Sequence, residues 1–129
     1  MKRVYPIVLT PRGDGGYLVY MPSFNIDTEG ENLADAIDMA RDAMSVCGLA
    51  NEDIGKEIPQ SCTLLPMIES NELTALVDVD FDAYRKQYDT KAVKKTLTIP
   101  AWLNTRAEVA HVNYSQILQE GIKTKLGIA

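Results

Sequence analysis

Asp78 and Asp80 stand two residues apart in Val77-Asp78-Val79-Asp80, and Asp82 follows closely. Residues two apart on a strand share a face, so this pair could turn carboxylate oxygens toward a Mg²⁺ ion and support metal-assisted hydrolysis. Asp80 has a competing use as the cap of a helix that starts after it, and the third acid lies beyond the strand end. His111 is the single histidine of the chain, so no pair of histidines is available for general acid–base work. Cys47 and Cys62 lack metal-ligand spacing and read as small apolar residues. The glycine-rich run from Arg12 to Gly16 has neither the lysine nor the following helix of a phosphate-binding loop. These residues together predict a protein with no catalytic residue, no metal and no cofactor.

The other chemistry lies in Lys94, Thr96 and Thr98, which alternate with Leu97 and Ile99. Alternation places Lys94, Thr96 and Thr98 on one face of a strand. An ammonium and two hydroxyls in a row can meet the hydrogen-bond acceptors of base edges. The charge distribution points the same way. Residues 1–90 hold 7 Lys and Arg against 16 Asp and Glu, whereas residues 91–129 hold 6 against 2. The net charge of −5 therefore divides into an acidic front of −9 and a basic tail of +4, and the tail is the candidate for a polyanionic partner.

Several elements must position these groups. Residues 3–10 and 17–21 read as strands joined by a Gly/Asp hairpin turn, with Pro6 marking an edge or bulge in the first. Residues 24–28 read as a short third strand. Residues 32–48 form the clearest helix, with Asn32 as cap, an apolar stripe of Leu33, Ala36, Ile37, Ala40, Met44 and Cys47, and Gly48 as its end; Met39 and Met44 read as packing residues. Residues 51–70 read as loop, 73–79 as a half-buried strand and 80–88 as a short helix capped by Asp80. The fold class is mixed α/β (α+β), a small antiparallel sheet with one main helix over residues 1–88. A polar hinge at 89–92 leads to a segment of different character at 93–129.

That segment reads as a strand at 93–99, Pro100 entering a helix at 101–110, a tight link at His111 in a left-handed conformation, and a second helix at 114–126 capped by Asn113. Trp102 reads as a packing residue, and Arg106, Lys123 and Lys125 as solvated helix charges. One strand and two helices cannot satisfy the strand's own backbone groups. A second copy can: two strands pair antiparallel, Leu97, Ile99, Leu103, Ile117, Leu118 and Ile122 pack between the copies, and the two polar strand faces form one ribbon. A two-stranded ribbon fits the DNA major groove. The first amides of the second helix, at Asn113, Tyr114 and Ser115, can hold a phosphate. A homodimer is expected, and further pairing into a tetramer is left open.

Residues 94–126 resemble a ribbon-helix-helix DNA-binding domain, with His111 standing where that family often has Gly. The resemblance implies that Lys94, Thr96 and Thr98 read the groove and that Asn113 anchors a phosphate. The front half also resembles a known family. The run Gly15-Gly16-Tyr17-Leu18-Val19-Tyr20-Met21-Pro22, then Thr28-Glu29-Gly30, then Leu33 onward to Ala40 is similar to the N-terminal domain of HicB-type antitoxins, a partial RNase H-like fold. Residues 24–27 depart from the commoner Asp-Leu-Pro-Gly-Cys run. The implied protein is an antitoxin that neutralises a HicA-like RNA-cleaving toxin and represses its own operon by binding double-stranded operator DNA. An acidic front half suits a basic toxin. Two alternatives remain beside it: a free-standing ribbon-helix-helix regulator whose front half senses a ligand, and a nuclease using Asp78 and Asp80, as an RNase H-like fold suggests. The apolar stretch after Met1 is too short for a signal sequence or a membrane span, so a cytoplasmic protein without a membrane partner is expected.

Overall fold

A computed structural model describes residues 1–128; Ala129, the last residue of the expected 93–129 segment, lies outside the described residues. The chain divides into two compact units, Met1–Thr90 and Lys91–Ala129. It is a mixed α+β protein, with four antiparallel strands and four helices among the described residues.

The first unit is built on β1 (Lys2–Pro11), β2 (Tyr17–Met21), β3 (Ile26–Gly30) and β4 (Leu73–Asp80), in the spatial order β3-β2-β1-β4. The turn between β1 and β2 forms because Gly13 and Gly15 take φ of 91° and 92°, backbone angles open to glycine at little energetic cost. Asp14 then accepts the Gly16 amide at 2.9 Å and the Arg12 Nε at 3.2 Å. Pro6 lies mid-strand in β1, opposite Leu76 of β4, but the β1–β2 ladder begins only at Val8. Its missing N–H thus falls where β1 has a strand neighbour on one side only. The third strand is displaced two residues from the expected 24–28, because Asn25 adopts φ 52° and completes the turn first.

α1 (Leu33–Asp53) lies on one sheet face. Its cap is Asn32, whose Oδ1 accepts the Asp35 amide, one of the orphan donors of the first turn, while the Asp35 carboxylate accepts the Glu31 amide just before the cap. Ala36, Ala40 and Met44 are buried against Tyr5, Ile7, Leu9, Val19, Met21, Val77 and Val79. Small residues on the helix and large ones on the sheet let the two layers approach closely. Gly30 is required by that approach: a Cβ there would sit 2.3 Å from the Ala36 nitrogen.

Three expectations about α1 are corrected. Gly48 does not end the helix, which continues to Asp53. The glycine is instead the seat of Phe81, whose Cε1 would lie 2.5 Å from an added Cβ. Leu33 and Met39 are exposed, not packed, because the buried stripe runs through the alanines and Met44. α2 (Phe81–Gln87) follows β4 directly, capped by Asp80, whose Oδ1 accepts the Ala83 amide at 3.1 Å.

The second unit contains α3 (Ala101–Val109) and α4 (Tyr114–Leu126). Asn113 caps α4 through its Oδ1 on the Gln116 amide, and His111 has φ 54° in the link. The strand expected at 93–99 is absent: residues 89–100 carry no regular secondary structure in the single chain. A strand exists only through a hydrogen-bonded neighbour, and no described segment pairs with this one.

Candidate functional site

In the second unit the segment before α3 lies along the helices in alternating register. Lys95, Leu97 and Ile99 line an open groove of about 470 Å³ together with Asn104, Tyr114, Ser115, Ile117 and Leu118. Lys94, Thr96 and Thr98, the intervening residues, are exposed and stay out of that lining. Within this lining the Tyr114 hydroxyl donates to Asn104 Oδ1 at 3.0 Å. Sequence reasoning missed Asn104 and Lys95 as members of this set; Lys95 follows once the odd positions of the segment are known to face the helices, whereas Asn104 enters from α3 through its bond to Tyr114.

The unit has almost nothing inside. Neither α3 nor α4 has a buried residue. Leu97 is 64% exposed, Ile117 51% and Ile122 50%, and Leu103 is exposed as well, while Leu118 is half-buried. Trp102, expected to pack, stands in solvent with the Arg106 guanidinium 5.5 Å from its ring centroid. Eleven large apolar side chains among the described residues of this unit, from Val93 to Ile128, are thus exposed, and exposed apolar surface of that extent marks an interaction site. Asn113, Tyr114 and Ser115 are exposed at the N-terminus of α4, where the helix dipole is positive.

In the first unit the acids behave as structural groups. Asp78 Oδ1 meets Arg41 Nη2 at 3.3 Å, and Arg41 Nε donates to the Asp78 carbonyl at 3.0 Å. Asp80 caps α2, and Asp82 pairs with the amino group of Met1. Among the described residues no three His, Cys, Asp or Glu side chains converge as a metal would need, and the two candidate ligands already have partners. Asp78, Asp80 and Asp82 thus each serve a structural contact in this fold.

An open groove of about 580 Å³ between α1 and α2 is lined by Asp38, Arg41, Asp42, Asp80, Tyr84 and Tyr88, among others. Nothing local in the chain marks this groove, since its residues come from elements about forty positions apart. The Tyr84 hydroxyl donates to Asp42 Oδ1 at 3.0 Å, and the Tyr84 and Tyr88 rings lie 4.7 Å apart. Loss of hydration, then the Asp42 hydrogen bond and charge, push the Tyr84 phenol up to about 12. A phenol held that far from ionising is a hydrogen-bond donor rather than a base. Elsewhere, burial raises the Tyr5 phenol, against a smaller opposing effect of Arg3. Both side chains donate to the Pro59 carbonyl, at 2.6 and 2.9 Å, and so pin the chain after α1. Among the described residues no helix is long and apolar enough to cross a membrane.

No family model matches the chain, and no curated protein matches it in sequence. Solved structures do. A chain of a toxin–antitoxin complex from Streptococcus pneumoniae superposes with a TM-score of 0.56 at 23% identity, covering 97% of this chain and 99% of that one. The antitoxin HicB of Burkholderia pseudomallei superposes with a TM-score of 0.53 at 21% identity, covering 97% of each chain. Across nearly its full length, therefore, this chain has the fold of the HicB antitoxin.

Proposed function

We propose that the protein is an antitoxin: its first unit binds and neutralises a small basic HicA-like toxin that cleaves RNA, and its second unit dimerises, binds operator DNA and represses its own operon. It acts by binding and not by catalysis. The reading is supported along the whole chain, since both structural neighbours belong to toxin–antitoxin systems and match from end to end. The observation that carries it is the second unit, whose apolar residues are left in water by a single chain. A second copy would cover Leu97, Ile99, Leu103, Ile117, Leu118 and Ile122. It would also give residues 93–99 a ladder partner. Pairing would join the two Lys94, Thr96 and Thr98 rows, and Asn113, Tyr114 and Ser115 would flank them as phosphate contacts. The domain division that this implies is residues 1–88 for the toxin, 89–92 as hinge and 93–129 for dimerisation and DNA.

The test is co-expression. The small basic protein encoded beside this chain's gene should arrest growth when expressed alone, and this chain should restore growth and co-purify with it. Arrest that this chain leaves unchanged refutes the antitoxin reading.

A further inference from the structure

The sheet of the first unit has a second face, turned away from α1. Side chains alternate along a strand, and paired residues share a face. Pro6 pairs with Leu76, Val8 with both Tyr20 and Thr74, and Thr10 with Leu18. These residues therefore point away from the helix-covered set of Tyr5, Ile7 and Leu9. One stretch of chain must cross them. The Val4 carbonyl accepts the Cys62 amide at 2.9 Å, so residue 62 lies on the side of β1 away from β4. Leu73 pairs with Leu9 on the β4 side. Because α1 occupies the inner face, residues 63–71 pass over the outer one. Pro6 and Val8 are buried although they face away from the core helix.

What this face shows to water is apolar at its centre. Leu18 and Leu76 are each nearly half exposed, Leu64 is 82% exposed and Met67 is fully exposed. None of these positions is needed by the core. The rim is acidic: Asp27 and Glu29 stand opposite Tyr20 and Leu18 on the neighbouring strand, Asp78 stands opposite Val4, and Glu72 bonds Thr10. Arg12 on Glu29 and Arg41 on Asp78 offset only part of that charge.

We propose that this outer sheet face, with Leu64 and Met67 of the crossing segment, is the surface on which a basic protein partner docks. The proposal rests on the antitoxin reading and identifies the toxin as that partner. An apolar centre inside a charged rim is the usual anatomy of a specific interface. A rim of this sign disfavours nucleic acid, and also a second copy, whose acids would be set against these.

The experiment uses the full-length chain and the purified basic protein encoded beside its gene, with the dissociation constant measured by calorimetry. Leu18→Lys and Met67→Lys alter exposed side chains; an unchanged circular dichroism spectrum and thermal melting transition of the full-length chain check that the first unit stays folded. Val46→Lys, at an exposed apolar position on α1, is the control. The expected result is weakening by about tenfold or more for each face variant, as for interface anchor residues, with the control unchanged. Wild-type binding that both face variants retain overturns this proposal and leaves the antitoxin reading standing. Equal loss in Val46→Lys overturns it too, as does a change in the assembly state of the chain alone in the face variants, which would assign the surface to a second copy. Absence of binding by the wild-type chain removes both readings.

Discussion

Lys94 and Thr96 sit two residues apart and should fail differently. A lysine that neutralises one phosphate contributes through counterion release, so Lys94→Ala should weaken operator binding and flatten its log–log salt dependence by about one unit or less. A threonine at a base edge carries sequence information and little charge effect, so Thr96→Ala should change sequence preference more than salt slope. Mobility shifts over a salt series with operator and mutated operator separate the two. Acid sensitivity is also set residue by residue. The Asp14 carboxyl is held below its ordinary value chiefly by the Gly16 amide, and Glu72 chiefly by the Thr10 hydroxyl. A carboxylate depressed in the folded state stabilises the fold fully above its unfolded value, and that contribution disappears as pH falls through the folded one. Asp14→Asn and Glu72→Gln should therefore lower the melting temperature at neutral pH and approach wild type in acid. Melting curves over a pH series check this.

α1 illustrates what an element's own pattern can and cannot reveal. The Asn32 cap and the buried Ala36, Ala40 and Met44 follow from local spacing. Gly48 read as a stop because glycine is a poor helix former, yet the helix runs on for five more residues. The missing side chain is filled by Phe81, which arrives from thirty-three positions away, and no local signal carries that information. Gly48→Ala should consequently destabilise the protein by about 1–3 kcal/mol, as overpacking does, against the gain of about 1 kcal/mol that helix propensity alone would give. Chemical denaturation measures it, and the loss should shrink in a Phe81→Leu background. β4 was legible in its inward Val77 and Val79, while the exposure of Leu73 came from its place at the strand end. Residues 93–99 alternate as a strand does, but a strand needs a neighbour that one chain does not offer.

At the scale of the whole molecule the chain joins an acidic unit to a basic one. The proposed partners have the matching signs, a basic toxin for the first and DNA for the second. The second unit has too little apolar burial to hold together well alone, since Leu97, Ile117 and Ile122 are half to two-thirds exposed and each forgoes roughly half of the 1.5–3 kcal/mol that full burial contributes. Pairing therefore has a strong driving force. If the second unit pairs as proposed, Leu97→Asp together with Ile117→Asp should give a monomer in light scattering where the wild type gives a dimer, and should abolish operator binding. Toxin binding by the first unit should persist in the same variant. Loss of both functions together would show that the two units do not act separately.

The sequence by itself determined the charge division, the helix caps at Asn32, Asp80 and Asn113, the left-handed His111 and the hairpin at residues 11–17. Each depends on residues near one another in the chain, where side-chain chemistry and backbone preference act directly. Only the tertiary structure decided that Asp78 answers Arg41, that Gly48 receives Phe81, and that Leu18 and Leu76 lie on the sheet face away from α1. Those relations depend on which distant segments meet, and that is set by packing the whole sheet against one helix.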